Sequence, residues 1–126
     1  MEKQIINTSS APAPIGPYSQ AVQAGPFVFL SGQVCFDPAT GALNNADIPT
    51  ETRQVMLNLQ AVLQAAGLSF VNVVKTTIFL SDMSHFNAVN EVYGTFFEGD
   101  FPARETVAVK TLPRNVNVEI SMIAIA

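Results

Sequence analysis

Between Thr52 and Ala66 the apolar residues Val55, Leu59, Val62, Leu63 and Ala66 recur at i, i+4, i+7, i+8 and i+11, the spacing of one helical face. Gly67 comes next, placed as the C′ residue at which a helix stops. Elsewhere the period is two. Residues 19–24 and 26–34, broken by Gly25-Pro26, read as a strand pair, the second being PFVFLSGQV. CFDPATGALNN then carries two turn signals, Asp37-Pro38 and Thr40-Gly41. NVVKTTIFLS, 72–81, is rich in β-branched residues and predicts another strand, after which Asp82 or Ser84 can cap a second helix. The buried stripe of that helix would be Phe86, Val89, Tyr93, Phe96 and Phe97. FPARETVAV, the turn KTLPRN and VNVEISMIAIA complete the chain as strand, turn and strand. Ahead of all these, SSAPAPIGP (9–17) has too much proline for a helix or a central strand and reads as an entry loop.

The order is therefore β-β-α-β-α-β-β, two helices among about five or six strands, which indicates an α+β fold with one mixed sheet in a single domain spanning 1–126. Two helices can cover one face of such a sheet. The last strand, however, is apolar on both faces, with Val118, Ile120 and Met122 on one and Ile123 and Ile125 on the other. The uncovered face needs a partner, and a second copy of the chain is the simplest one.

Composition sharpens this expectation. The chain has 126 residues, enough for one core and too few for two ordinary domains. Hydrophobic residues make up 48% and charged ones 13%, so little charge is available to cover the surface, and part of that surface is expected to lie against another subunit. The apolar runs fall short of the roughly 18–20 residues that cross a bilayer, and no transmembrane helix is expected. MEKQIINTSS lacks the basic-then-apolar order of a secretory signal, so a cytoplasmic location is expected. Cys35 is the one cysteine and His85 the one histidine, which excludes a disulfide framework and a closed structural zinc site. A net charge of −4 has the wrong sign for gripping phosphate backbones, which makes nucleic acid a poor candidate partner.

Where the few charges stand then matters. In the strand after Pro102, Val107 and Val109 are assigned to the helix-covered face, and Arg104, Thr106 and Ala108 to the other. Glu119 also opposes the Val118/Ile120/Met122 face. If KTLPRN closes a hairpin, Glu119 lies near Thr106, with Arg104 its diagonal neighbour about 7–8 Å away. Two readings of the pair stay open. It is a buried structural ion pair, which spacing alone favours, or Arg104 offers its planar fork to a ligand carboxylate while Glu119 handles a proton or a water.

Taken together, APAPIGPYSQAV (11–22), the SGQ of FLSGQV (31–33), DPATG (37–41), the stretch from Ala65 to Asn90, FPARETVAV and VEISMIAIA resemble the RidA/YjgF family of small trimeric imine/enamine deaminases. GPYSQ, SGQ, PAR and the final VEI are specific in combination, and the matching segments span nearly the whole chain. The resemblance implies a chorismate-mutase-like fold: one sheet with two helices on its outer face, three sheets closing a central barrel, and a site in each cleft between subunits. It also implies hydrolysis of 2-iminobutanoate and 2-iminopropanoate to 2-oxo acids and ammonia, with no cofactor.

Position by position, the resemblance makes Arg104 the clamp for the substrate carboxylate and Glu119 the acid that orients the attacking water. Tyr18 would wall the pocket and offer its hydroxyl to the chemistry, and Ser31 and Gly32 would line it. The best-known members carry Ser-Cys after the PAR arginine, whereas this chain has Glu105-Thr106. Thr106 preserves a contact made through the backbone amide but not one made through a thiol, and Glu105 is assigned to the opposite face. Asn87 is a weaker candidate for lining the cleft. His85 reads as a solvated surface residue and Cys35 as a small buried or half-buried filler. Two other functions compete with the deaminase: a non-catalytic trimer that binds a 2-oxo acid or similar carboxylate, and an endoribonuclease. The second ranks last because the chain offers RNA little positive charge.

Overall fold

The computed structural model describes residues 2–126. Its long helix, α1, runs Ile48–Ala65 and so begins ahead of the apolar stripe that predicts it. The reason is local. Asp47 takes the N-cap position and its side chain accepts a hydrogen bond of 2.8 Å from the Thr50 amide, while Pro49 sits in the first turn, where its missing N–H costs nothing. At the other end Gly67 adopts φ +75°, its amide donating to Gln64 O and the Leu68 amide to Leu63 O, each at 2.9 Å. This pair of bonds is the Schellman stop expected of a glycine at C′.

The strands are β1 (Lys3–Ile6), β2 (Ala21–Ala24), β3 (Phe27–Gln33), β4 (Val73–Leu80), β5 (Ala103–Ala108) and β6 (Val118–Ile125), and the second helix, α2, is Phe86–Gly94. They form one six-stranded sheet in the order β1-β2-β3-β6-β4-β5, mixed because β4 and β5 run parallel and every other pairing is antiparallel. β1 is not predicted by the sequence pattern: four residues at the sheet edge, three of them exposed, carry no periodic signal. Both helices pack on one face, against Val28, Leu30, Ile78, Leu80, Val118, Ile120 and Met122, all buried. Among the described residues no helix is long and apolar enough to cross a membrane.

Two expectations about the C-terminal half need correction. KTLPRN does not close a hairpin: β4 lies between β5 and β6, so the connection crosses over the end of β4, where the Ser81 amide donates to Asn117 O at 2.9 Å. The faces of β5 are also reversed. Arg104 pairs with Thr76 and Thr106 with Ile78, placing both on the helix-covered side, whereas Glu105 and Val107 pair with Thr77 and Phe79 on the other. Glu119 pairs with Phe79 too and shares the uncovered face with Val107. Arg104 and Glu119 therefore stand on opposite faces of the sheet. The apolar character of the uncovered face is as expected, with Ile5, Phe27, Phe29, Val107 and Ile125 between 40% and 57% exposed.

Candidate active site

A cavity of about 340 Å³ opens beside the β3–β6 pair, lined among others by Tyr18, Ser31, Gly32, Phe36, Pro113 and Glu119. Its outer wall is the proline-rich entry loop, and one buried side chain holds that loop in place. Gln20 accepts from the Thr8 amide at 2.7 Å and donates to Thr8 O at 3.0 Å and to Pro12 O at 2.8 Å. Ser31 ties the loop to β3, its hydroxyl donating to Ser19 O at 2.6 Å, so the proton of that hydroxyl is already used. The Tyr18 ring is 47% exposed, and its hydroxyl accepts a long bond of 3.4 Å from the Ile15 amide, which leaves the phenol proton free.

The floor is set by an irregularity in β3. Its pairing with β6 runs Leu30↔Met122 and resumes at Gln33↔Ile120, so Ser31 and Gly32 together oppose Ser121. Such a bulge re-aims the strand. A Cβ on Gly32 would lie 2.9 Å from both Cδ and Oε2 of Glu119, so only glycine lets that carboxyl rest on the β3 backbone. Glu119 is half-buried and burial raises its pKa above the ordinary carboxylate value, with no charge among the causes of the shift. The bulge was foreshadowed in the sequence only by a glycine inside a strand.

The other sequence-predicted residues do not line this cavity. On β5 the half-buried Arg104 lies with its guanidinium carbon 5.1 Å from the Tyr93 ring centre and 5.6 Å from that of Phe86, both rings from α2. Cation–π packing of this kind supports the charge while leaving the N–H fork in the guanidinium plane available. Tyr93 is itself fixed by donating to Thr76 Oγ1 at 3.0 Å, and burial raises its pKa, so the ring presents a neutral phenol. Thr106 is next on the same face, and among the described residues its buried Oγ1 has no hydrogen-bond partner. Asn87 is exposed on the first turn of α2. Glu105 points to the uncovered face as an ion pair with Lys75 at 2.9 Å, outside the cavity. His85 is half-buried rather than solvated, and Cys35 is fully buried, its thiol pKa raised chiefly by that burial.

One chain thus carries two separate clusters. The first, Tyr18, Ser31, Gly32 and Glu119, can exchange a proton beside a wall of neutral groups. The second, Arg104 and Thr106 on an edge strand, can receive an anion. The turn before β6 was expected, but not its place beside the cavity: Arg114 and Asn115 both adopt left-handed φ, 58° and 56°, and Pro113 from this turn borders the cavity.

The family model described as Endoribonuclease L-PSP matches residues 8–126. A mouse 2-iminobutanoate/2-iminopropanoate deaminase is 49% identical over 123 residues, covering 98% of this chain and 91% of that protein. Among solved structures, RidA from the Antarctic bacterium Psychrobacter sp. superposes with TM-score 0.94 at 41% identity, covering 98% of this chain and 99% of that one. E. coli TdcF, solved with bound serine, gives TM-score 0.94 at 41% identity, with 98% of each chain covered.

Proposed function

This chain belongs to the RidA/YjgF family, and on that footing we propose that it hydrolyses 2-imino acids, such as 2-iminobutanoate and 2-iminopropanoate, to 2-oxo acids and ammonia. The observation that carries this reading is the Glu119 carboxyl, desolvated against Gly32 in a cavity with room for a small acid. A protonated imine carbon is already electrophilic. The protein needs to hold the carboxylate, place one water and move protons, and it needs no strong nucleophile.

In the proposed sequence Glu119, ionised, takes a proton from the water as its oxygen bonds to the imine carbon. The C=N π pair moves to nitrogen and gives a carbinolamine. Glu119 then returns the proton to nitrogen, the C–N bond breaks, and the carbinolamine hydroxyl gives its proton to the departing ammonia, which leaves as ammonium, as the C=O bond of the 2-oxo acid forms. Tyr18 walls the reacting carbon, its free phenol proton able to support the developing oxygen. Ser31 and Gly32 line the side of the pocket.

The carboxylate clamp cannot come from the same copy, because Arg104 is on the other face of the sheet. In a homotrimer whose uncovered faces form the central barrel, edge strand β5 of one subunit would bring Arg104, with Thr106 and Asn87, to the cavity of its neighbour. That arrangement supplies the missing half of the site and covers the exposed apolar residues in one step. The reading treats residues 1–126 as one RidA-like domain acting in the cytoplasm without a cofactor.

A second reading has specific support: TdcF is described with bound serine, so the same cleft could serve as a carboxylate-binding module. Turnover separates the two. With 2-iminobutanoate generated in situ by a dehydratase, wild type should accelerate 2-oxobutanoate release over the spontaneous rate, and Glu119→Gln should lose about 10²-fold or more. Tight binding of 2-oxobutanoate with no acceleration would favour the binding module.

A further inference from the structure

Several polar groups of α1 face inward, which an amphipathic helix ordinarily avoids. Glu51, Gln54 and Asn58, spaced i, i+3 and i+7, form one stripe and are all buried, Glu51 completely. Each is spent on backbone or on a neighbour that serves backbone. Asn58 donates to Val34 O at 3.0 Å and to Phe36 O at 2.8 Å, holding the segment that continues β3 past Gly32. Gln54 orients Asn58 through a bond of 2.9 Å to its Oδ1.

Glu51 does the corresponding work on the opposite wall. Its Oε2 accepts from the Asn117 amide at 2.7 Å and the Val118 amide at 2.9 Å, and its Oε1 accepts from Asn117 Nδ2 at 3.0 Å. Asn117 Oδ1 in turn accepts from Ser81 Oγ at the end of β4, at 2.8 Å. A buried carboxylate is costly, and an apolar side chain of similar size would serve packing alone as well or better. Here it fixes the two peptide groups that lead directly into Glu119. One helix face therefore sets both walls of the cavity.

We propose that Glu51 is a positioning residue for the hydrolysis, fixing through the amides of Asn117 and Val118 where the Glu119 carboxyl stands against Gly32. The inference rests on the deaminase reading above, and the test separates the two. A glutamine at position 51 can keep one oxygen where the two backbone amides converge. If the Asn117 amide turns over, it can present Oδ1 to the new NH₂ group, and Ser81 Oγ can accept instead of donate. A leucine leaves all three donors without an acceptor.

The experiment is a double-mutant cycle in the imine assay, run well below the measured melting temperatures, on wild type, Glu51→Leu, Glu51→Gln, Glu119→Gln and Glu51→Leu/Glu119→Gln. Glu51→Leu should lower kcat about 10- to 100-fold with KM within about threefold, the expected result of a misplaced group that acts in the transition state. Glu51→Gln should restore kcat to within about threefold of wild type, and in the Glu119→Gln background Glu51→Leu should cost less than about twofold. Should Glu51→Leu fail to fold, Asn117→Ala takes its place in the cycle, with an expected loss of about 3- to 10-fold that also disappears in the Glu119→Gln background. Equal losses in both backgrounds, or a Glu51→Leu enzyme (Asn117→Ala where it stands in) with undiminished kcat, would overturn the positioning role and leave the deaminase reading intact. A wild type that does not exceed the spontaneous rate, or a fully active Glu119→Gln, would overturn both.

Discussion

Replacing Gly32 by alanine should separate turnover from stability. The added Cβ would sit 2.9 Å from Cδ and Oε2 of Glu119 and 3.1 Å from its Cγ, against the ordinary contact of about 3.5–4.0 Å, so the carboxyl must retreat. The obstacle is the end of a half-exposed, flexible side chain, which puts the packing cost at the low end of overpacking, about 1 kcal/mol. Gly32 does not have a positive φ, so alanine fits its backbone and recovers about 0.4–1 kcal/mol from the unfolded chain. These effects nearly cancel, and the melting temperature should stay within about 5 °C of wild type. Catalysis has no such compensation. A carboxyl displaced by about 1 Å costs about 10²-fold, or about 2.7 kcal/mol of transition-state stabilisation. The assay is 2-oxobutanoate release from dehydratase-generated imine, beside a thermal melt of the same preparation. Full kcat in Gly32→Ala would refute the claim that the carboxyl acts from its place on the β3 backbone, and a collapse in melting temperature would refute the cancellation.

Arg104→Lys should lose about 1.5–3 kcal/mol in kcat/KM, because an ammonium stacked on the same rings cannot present a bidentate fork; near-normal kinetics would remove the clamp assignment. Thr106→Ala should keep most of the activity, since it retains the backbone amide and removes a hydroxyl that has no partner among the described residues; a dead enzyme would place proton chemistry on that hydroxyl. Static light scattering should give three times the 13.5 kDa chain mass, and Phe29→Glu on the uncovered face should lower it; a wild-type monomer at micromolar concentration would exclude the shared site. Because burial raises the Glu119 pKa, the folded protein binds that proton more readily than the unfolded chain, and stability falls as pH rises from the ordinary value of 4.5 through the raised one. With the chains held apart in a Phe29→Glu background, where no neighbouring Arg104 faces the carboxyl, Glu119→Gln should therefore melt at or above its Phe29→Glu parent at pH 7, with the difference vanishing below about pH 4. A variant less stable at pH 7 would contradict the sign.

The helix–sheet alternation, the stop at Gly67 and the uncovered apolar face were all legible because each rests on short-range rules: 3.6-residue spacing, a left-handed cap and two-residue alternation. The cluster of Tyr18, Ser31, Gly32 and Glu119 was legible only through family resemblance. Its geometry depends on a bulge, and periodicity reports no register. Glu51 escaped notice for a related reason. Read along α1, a glutamate near the N-terminus looks like a dipole-favoured surface acid, and only the crossover turn shows that its carboxylate meets two amides from the far end of the chain.

The reversal of β5 has a different physical origin. Hydropathy assigns Val107 inward and Arg104 outward, but within one chain Val107 is 46% exposed and Arg104 half-buried. Arginine tolerates the inner side because its stem is aliphatic and two aromatic faces accept its cation, so its charge does not mark the solvent side. Valine tolerates the outer side because that side belongs to the apolar belt of Phe27, Phe29 and Ile125, which is left uncovered within one chain. The alternation was therefore correct in period and wrong in phase: on the proposed reading, in which this edge strand serves a neighbour, the pattern records burial in the oligomer. The same inversion separates the anion-binding cluster from the proton-handling cluster within one copy. On the proposed reading it makes activity depend on association, so a substitution that breaks the proposed trimer far from both clusters should abolish turnover while leaving the fold of each chain in place. Folded monomers of Phe29→Glu that still hydrolyse the imine would show that one face suffices.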